Sequence, residues 1–242
     1  MRNYRADIHI HTVLSPCASL EMSPTCIVNE ARAKNLQIIG ITDHNSTLQC
    51  ALVQQLASRV GIFTLMGVEV TTREELHCLS FFPSATELSA FQYFLEEKQE
   101  HIPNLANKMG YQVVVDEQEN IIHEVEYWLH TALSVSVNEL EKMVHSLGGI
   151  FIPAHIDRPR FSLTSQLGFV PEDLNADAFE IFNPQNLSTF SKNIQHKTFI
   201  RNSDSHSPSQ IGKVFTQFVM PELSFDAIRE ALRTNSVIFE EK

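Results

Sequence analysis

Short apolar runs alternate along the chain with segments in which apolar residues recur every three or four positions. The runs are typical of buried strands and the segments of amphipathic helices. Because the two kinds alternate, the pattern favours an α/β fold with a parallel sheet, and the number of runs favours a closed barrel. The predicted strands are Ala6–His11, Gln37–Thr42, Ile62–Val70, Leu76–Phe82, Ile150–His155, Ala178–Phe182, Thr198–Asn202 and Val214–Val219.

The segments between these runs carry helix signals. Ser23 and Pro24 supply an N-cap and a first-turn proline ahead of a helix over Ile27 to Asn35, and Ser224 precedes another helix near the chain end. Further helices are predicted from two apolar stripes: Leu48, Leu52, Leu56 and Val60, and Val137, Leu140, Val144 and Leu147.

One stretch is longer than a helix and its loops require, since 77 residues separate His77 from His155. Within it, Leu88 to Leu95 predicts a helix, Val113–Val115 a short strand, and Ile121–Leu133 a second helix. We therefore expect residues 1–83 and 135–242 to form the barrel domain and residues 84–134 an inserted, mainly helical subdomain. Its position after a strand end is one from which a lid could cover a site.

Composition restricts the ligands that the protein is expected to bind and the cellular compartment in which it is expected to work. A hydrophobic share of 43% over 242 residues excludes disorder, and a formal net charge of -11 disfavours duplex DNA while allowing small phosphorylated ligands. The 4 cysteines show no Cys-x-x-Cys spacing, which excludes a disulfide framework and a thiolate zinc knuckle. No leader-like or bilayer-spanning run is evident, so we expect a cytoplasmic protein without membrane contact. The pattern leaves the oligomeric state open.

Ligand-type side chains stand where the apolar runs stop. In a parallel barrel all carboxyl ends of strands open onto one face, so these residues would converge. Imidazole and carboxylate suit Zn, Mn and Fe, with Mg a further option, and their number exceeds the needs of one ion. The pattern predicts two or three divalent ions held within the set Asp7, His9, His11, Asp43, His44, Glu69, Glu75, His77, His155, Asp204 and His206.

The remaining histidines lack this placement at a strand end. A lone histidine is usually structural or lies on the surface. We expect such a role for His101, His123, His130, His145 and His196.

The motifs form an ordered series: Asp7-x-His9-x-His11, Thr42-Asp43-His44, Gly67-x-Glu69, Glu75-x-His77, Ala154-His155 and Asp204-x-His206. Together they resemble the PHP (polymerase and histidinol phosphatase) superfamily of metal-dependent phosphoesterases. The resemblance covers essentially the whole chain except the insertion. It implies a distorted (β/α)7 TIM-like barrel that holds a trinuclear site.

The same resemblance implies a ligand set. His9, His11, Glu69 and Asp204 would hold one ion, and Glu69, His77 and His155 a second. His44 and His206 would hold the third, with one residue from the loop after the first strand. Two residues of that loop are available for this role: Cys17, which suits zinc, and Glu21, which suits manganese or magnesium. Cys17 could alternatively be a packing residue.

Such a site would hydrolyse a phosphate ester. Two ions sharing Glu69 would lie about 3.5–4 Å apart and hold a bridging hydroxide that attacks phosphorus. His44 or Asp43 would assist the leaving oxygen, and Arg158 would contact the phosphate unless it pairs with Asp157 instead. Asp7 and Asp43 are also candidates to orient ligand imidazoles.

The expected substrate is a nucleotide, a short single-stranded oligonucleotide or a small phosphorylated metabolite. Tyr127, Trp128 and Phe161 are candidates to stack a base, with core packing as the alternative. Two other functions remain open. One is a metal-dependent amidohydrolase, a family that usually bridges its metals with a modified lysine. The other is a non-catalytic, metal-binding regulatory domain.

Overall fold

Strands and helices alternate along most of the chain, as the apolar pattern predicts. A computed structural model describes residues 1–194 and 197–239, so His196 lies outside the described residues. The strands are β1 Arg2–Ile10, β2 Ile38–Ile41, β3 Phe63–Thr71, β4 His77–Phe82, β5 Val113–Val115, β6 Ile121–Glu124, β7 Ile150–Pro153, β8 Phe179–Glu180, β9 Phe199–Ile200, β10 Thr216–Met220 and β11 Val237–Ile238. The helices are α1 Pro24–Ala33, α2 Cys50–Arg59, α3 Ala85–Lys98, α4 Ala106–Met109, α5 Val137–Ser146, α6 Leu163–Gln166, α7 Leu187–Asn193 and α8 Phe225–Arg233.

The central sheet has seven strands in the order β11-β10-β1-β2-β3-β4-β7. The sheet curls, and the separate parallel pair β8–β9 lies between its two ends. On one side, the backbone N–H of Ile156, shortly after β7, donates to the carbonyl of Glu180. On the other, the backbone N–H of Arg201, after β9, donates to Thr216 Oγ1. The α/β class is thereby confirmed. The (β/α)7 barrel and the division into 1–83 plus 135–242 and 84–134 stay predictions.

The expectation of an all-parallel sheet is wrong. β1, β2 and β3 run parallel, but β4 is antiparallel to β3 and β7, and β10 is antiparallel to β1. The physical reason is the connection from Thr71 to His77, which suffices for a hairpin but not for the crossover that a parallel pair needs. His77 therefore begins β4 instead of ending a strand. It still reaches the same edge, because it pairs with Thr71 at the carboxyl end of β3.

Both faces of the sheet are covered, and side-chain alternation divides each strand between two apolar clusters. Ile38 packs with Leu65 and Phe81 on one face, whereas Ile39 packs on the other face with residues of the helices. The helix ends follow the predicted signals: the Ser23 hydroxyl accepts from Cys26 N, and Pro24 occupies the first turn of α1. No helix in the described residues is both long and apolar enough to cross a membrane.

The predicted helix over Ile121–Leu133 is wrong. Its first residues form β6, which pairs with β5, and the chain then runs irregularly to Leu133. Buried Val125 and Leu129 are four residues apart, which imitates a helical period, but Gln112 fixes a non-helical path. Its side-chain amide donates to the carbonyls of Val125 and Tyr127, and its oxygen accepts from Leu129 N.

The segment 84–134 is packed against the rest of the chain. The apolar side of α3 joins the main core, and Val114, Val125 and Leu129 pack on Leu14 in the loop after β1. Gly110 also meets that loop, since a Cβ at this position would lie 1.9 Å from the carbonyl oxygen of Pro16. Only glycine allows this approach, at a φ of 100°.

Candidate metal centre

Backbone pairing beyond the strand ends brings distant motifs together. His44 forms a parallel bridge with Glu69, and Ile10 forms one with Ser205. The second bridge places Asp204 and His206 beside His9 and His11, although almost 200 residues separate the two motifs. The metal centre is defined here by eight residues: His9, His11, His44, Glu69, His77, His155, Asp204 and His206.

The Glu69 carboxylate lies at the middle of the metal centre and is almost fully buried. Its Oε1 atom lies 3.3 Å from His9 Nε2, 3.0 Å from His77 Nδ1 and 3.2 Å from His155 Nε2. Its Oε2 atom lies 3.3 Å from His11 Nε2 and 3.2 Å from His44 Nδ1. Each oxygen therefore faces a different group of imidazoles, which is the arrangement of a carboxylate that bridges two cations.

Asp204 supplies a second shared carboxylate. Its Oδ1 atom lies 3.2 Å from Nε2 of both His9 and His11. Its Oδ2 atom accepts a hydrogen bond of 2.5 Å from Arg158 Nη1. His9, His11, Glu69 and Asp204 thus surround one position, as the resemblance implied for a first ion.

Several residues in or next to the cleft have left-handed backbones. The φ angles are 29° for His155, 50° for Asp204, 46° for Asn45 and 55° for Phe161. Non-glycine residues in this region are strained, and such residues cluster where a precise side-chain position is required. The ligand-bearing loops are therefore held in place by their surroundings.

Hydrogen bonds on the outer side of the imidazoles set their orientation. His9 Nδ1 lies 3.1 Å from both carboxylate oxygens of Glu180, and His11 Nδ1 lies 2.9 Å from Ser15 Oγ. His206 Nδ1 lies 2.9 Å from the carbonyl of Asp204. When Nδ1 donates in each case, Nε2 is the atom directed to the centre, where it can bind a cation once its proton leaves.

Sequence reasoning missed Glu180. It is buried, and besides His9 it accepts from His155 N and Asn202 Nδ2. A signal existed, because Glu180 is an acid inside the predicted apolar run Ala178–Phe182. An acid at such a position requires a buried partner.

Opposite charges dominate the electrostatics of the metal centre. Burial lowers the pKa of His9, but Asp204, Glu180 and Glu69 overcome this and raise it well above its ordinary value. Burial likewise opposes protonation of His11, yet the carboxylates of Asp204 and Glu69 beside its Nε2 atom raise its pKa to about 9. Burial raises the pKa of Glu69, but His77, His9 and His44 together bring it well below the ordinary value. The carboxylate is therefore ionised and attracts positive charge.

The donor set fits divalent cations. His44 Nδ1, His155 Nδ1 and Asp204 Oδ1 are buried without a hydrogen-bond partner in the described part of the chain. The described residues form four groups, and within each group one ligand atom of every residue lies within 4.8 Å of those of the others. The groups are His9, His11 and Glu69; Glu69, His77 and His155; His11, Cys17, His44 and His206; and His44, His77 and His130. Unpaired buried acceptors are costly, and a bound cation would satisfy them.

The loop after β1 places Cys17 and Glu21 differently. Cys17 lies at the rim of the cleft within ligand distance of His11, His44 and His206. Glu21 is exposed and belongs to none of the four groups found among the described residues. Geometry thus favours Cys17 over Glu21 as the ligand from this loop.

Asp43, a predicted catalytic residue, and Asp7, predicted to orient ligand imidazoles, both bond to the loops that surround the metal centre. Both carboxylate oxygens of Asp43 accept from Thr12 and Ser15, so Asp43 lies behind His11 and does not face the cleft. It therefore orients the loop after β1 and cannot reach a leaving oxygen. Asp7 similarly holds the Asp204 loop, accepting from Ser203 N and Gly212 N, and burial raises its pKa to about 6.

Arg158 does not pair with Asp157, whose carboxylate instead accepts from the backbone of Phe182 and Asn183. Its guanidinium bonds Asp204 and lies 4.3 Å above the Phe182 ring. Arg158 therefore lines the cleft directly beside the metal centre.

His130 is the clearest departure from the sequence prediction. Its ring centroid is 3.9 Å from that of His44, and it lines a cleft of about 330 Å³ above Glu69. The irregular segment after β6 carries it there. No periodic pattern marks such a residue, because its position depends on how the insertion packs.

Two family profiles match this chain. The profile of the PHP domain matches residues 7–182, and a profile described as PHP-associated matches residues 195–237. The chain belongs to the PHP domain family. Members of the PHP superfamily are metal-dependent hydrolases, so the prediction of such a hydrolase is confirmed at the level of the family.

Individual relatives are distant. The chain is 23% identical to the uncharacterized protein YqxK of Bacillus subtilis, over 96% of this PHP chain and 62% of that protein. Among solved structures, the lesion-specific endonuclease Q of Pyrococcus furiosus superposes with a TM-score of 0.70 at 19% identity, covering 98% of this chain and 58% of the other. The chain thus spans about three fifths of the length of these two proteins.

Two further structures share the fold. An endonuclease Q complex with a duplex that has an abasic lesion at its active site gives a TM-score of 0.68 at 19% identity, over 96% of this chain and 57% of that one. A two-domain protein of Bacteroides vulgatus with a predicted PHP-like metal-dependent phosphoesterase gives 0.62 at 19% identity, over 99% of this chain and 65% of that one.

Proposed function

We propose that this PHP-family chain hydrolyses a phosphate ester of a nucleotide, a short oligonucleotide or a small metabolite. The observation that supports this most is the Glu69 carboxylate, whose two oxygens face two different groups of imidazoles. Two or three divalent ions of the Zn, Mn or Fe class, or Mg, would bind there.

The ligand assignment is part of the proposal. His9, His11, Glu69 and Asp204 would hold one ion, Glu69, His77 and His155 a second, and His44 and His206, with Cys17, a third. When bound, such ions lower the pKa of a shared water and stabilise the negative charge that develops on a phosphoryl group. The chain supplies the rigid positions: Glu180 and Ser15 fix the rings of His9 and His11 so that their lone pairs face inward.

Arg158 is the proposed phosphate contact. Its side chain is 29% exposed and lines the cleft, and its guanidinium is held on one side by Asp204 and on one face by Phe182. A planar guanidinium binds two phosphate oxygens at once, so Arg158 would orient the ester toward the metal centre. His44 lines the same cleft, but burial and His130 lower its pKa well below the ordinary value, which favours a role as a metal ligand over the predicted assistance to the leaving oxygen.

The cleft restricts the substrate class. About 330 Å³ accommodates a phosphate and part of one sugar or base, and Phe161 forms one wall by stacking on His77 at 4.6 Å. A base could stack on the open face of this wall, since aromatic platforms bind bases without sequence preference. Tyr127 is less suited to such a role, because it stacks on His101 at 4.2 Å.

Nucleic acid is a second candidate substrate. The likeness to endonuclease Q, one structure of which holds duplex DNA, supports it, and the expectation that duplex DNA is excluded rests only on net charge. A net charge of -11 weakens binding along a whole phosphate backbone more than it weakens binding of a single phosphodiester at the cleft.

The two other functions are less well supported. An amidohydrolase that bridges its metals through a modified lysine would need a lysine where Glu69 lies. A non-catalytic metal domain would not need Arg158 positioned beside the metal centre.

The test is an assay of purified protein with Mn²⁺ or Zn²⁺ on bis-p-nitrophenyl phosphate, nucleotides, and matched single-stranded and duplex oligonucleotides. We expect metal-dependent release of product from at least one ester and a large loss of rate in Glu69→Gln. Arg158→Lys should raise KM for the same ester, because a point charge replaces the planar fork. Amide hydrolysis without ester hydrolysis, or no turnover with any metal, would contradict the proposal.

A further inference from the structure

The insertion contributes a histidine to the wall of the metal centre. The ring centroid of His130 lies 3.9 Å from that of His44 and 5.9 Å from that of His77. One ligand atom of each of these three residues lies within 4.8 Å of those of the other two. Three imidazoles at this spacing are a donor set that holds zinc-type ions with a fourth position open.

The backbone around His130 is fixed by the residue that follows His44. Asn45 Nδ2 donates to the carbonyls of Leu129 at 2.7 Å and Thr131 at 2.8 Å, which flank His130 on both sides. Asn45 Oδ1 accepts from Thr71 N at the end of β3. The carboxyl edge of the sheet therefore holds His130 against His44, as expected for a functional side chain held in place before its ligand binds.

The neighbouring ring nitrogens have unused capacity. His77 directs Nδ1 to Glu69, while its Nε2 atom is buried without a hydrogen-bond partner in the described residues. Within residues 1–194 and 197–239, His130 makes ring contacts with Trp128 and Phe161 but no hydrogen bond. Any aromatic side chain could pack against these neighbours, whereas binding of a cation requires the ring nitrogens of a histidine.

We propose that His130, together with His44 and His77, holds a divalent cation of the zinc class. The groups that contain Glu69 and Cys17 do not include His130. They share His77 and His44, respectively, with the position proposed here. An ion there therefore competes with its neighbours for those two side chains and ties the insertion to the metal centre. The inference rests on the metal centre of the proposed function but adds a ligand that the PHP motifs do not contain.

The test is zinc binding by the full chain. Metal-free wild type, His130→Ala and His130→Gln are titrated with Zn²⁺ against a chromophoric chelator, and bound ions are counted by elemental analysis after gel filtration. His123→Ala is the matched control, because His123 is an exposed histidine of the same insertion, on β6. Thermal unfolding of the metal-free forms shows whether each variant is folded.

We expect both His130 variants to lose one ion, or to bind their weakest ion at least about tenfold less tightly, while His123→Ala matches wild type. Unchanged number and affinity of ions in folded His130→Gln would overturn the inference and leave the proposed function intact. If the wild type bound no zinc at all, the inference would be overturned, and the ester-hydrolysis assay with Mn²⁺ would decide the proposed function separately. Should His130→Ala fail to fold, His130→Gln decides alone.

Discussion

Two clusters of histidine and carboxylate occur in this chain, one on α5 and one at the metal centre, and they are built differently. In the His145 cluster, defined by His145, Glu141 and Asp177, Nδ1 lies 2.6 Å from Glu141 and Nε2 lies 2.9 Å from Asp177. Both ring nitrogens donate, and the hydrogen bond to Asp177 is the main reason that the pKa of His145 is raised. Each ring nitrogen of His145 lies against a carboxylate oxygen, so the cluster needs no cation.

Among the described residues of the metal centre, in contrast, several buried polar atoms lack the hydrogen-bond partners that the His145 cluster provides. Five imidazoles share the Glu69 carboxylate, and several buried acceptors have no partner in the described chain. Burial and repulsion from His130 push the pKa of His44 well below its ordinary value, so this ring cannot supply a proton. The comparison teaches that residue types do not define a metal site. Buried ligand atoms left without hydrogen-bond partners in the described chain distinguish the metal centre.

Removal of metal should separate the two clusters most sharply. Chelation is expected to reduce ester hydrolysis by about 10³-fold or more, because several kcal/mol of charge stabilisation are lost. It should also lower the Tm, since the ions bind only the folded state. Circular dichroism melting and a rate assay measure both effects. Retention of full activity after exhaustive chelation, verified by elemental analysis, would show that the two clusters do not differ in this way.

A matched pair of substitutions sharpens the comparison. Glu180 and Glu141 each bond Nδ1 of a histidine, one at the metal centre and one in the His145 cluster. Glu180→Gln should weaken metal binding by about 10–100-fold, because His9 loses the carboxylate that orients it and raises its basicity. Glu141→Gln should leave metal affinity unchanged. Equal affinities in the two variants would remove the assigned role of Glu180.

Metal affinity should also rise with pH. In the metal-free protein the pKa of His11 is raised to about 9 from 6.5, so a proton must leave before an ion can bind. Affinity is therefore expected to increase from pH 6 toward pH 9, with proton release that decreases over the same range. Titration calorimetry in buffers of different ionisation enthalpy measures this release. A flat profile would mean that His11 is not a ligand.

The smallest expected effect concerns the His145 cluster. His145→Gln should lower the free energy of unfolding by about 1–2 kcal/mol at pH 6, since hydrogen bonds to charged groups are lost. Because the pKa is raised on folding, this stabilisation is complete below the unfolded pKa of about 6.5 and disappears as pH rises through the folded value. Urea unfolding of wild type and variant at pH 6 and pH 9 tests this. A difference that grows with pH would reverse the assignment.

The sequence was sufficient for most strands and for most residues that gather at the candidate metal centre, because buried strands and the polar residues at their ends are local patterns. His9, His11, His44 and His155 could be found in this way. His77 was found for an incomplete reason, since the antiparallel turn of β4 and not a strand end brings it to the centre.

Residues placed by tertiary contacts could not be predicted. His130 reaches His44 only because Asn45 and Gln112 hold an irregular segment that imitates a helical pattern. Asp43 resembles a catalytic acid at a strand end, yet Thr12 and Ser15 engage both of its oxygens. Such assignments depend on which way a side chain faces, and alternation along a strand does not fix this at its end.

Metal content is the most direct test of the shared Glu69 carboxylate. Wild type, Glu69→Gln and His145→Gln would be purified without chelators and their ions counted by elemental analysis. The account predicts two or three ions per chain in wild type and in His145→Gln, and at least one fewer in Glu69→Gln. Substoichiometric metal in wild type, or the same count in folded Glu69→Gln, would contradict it.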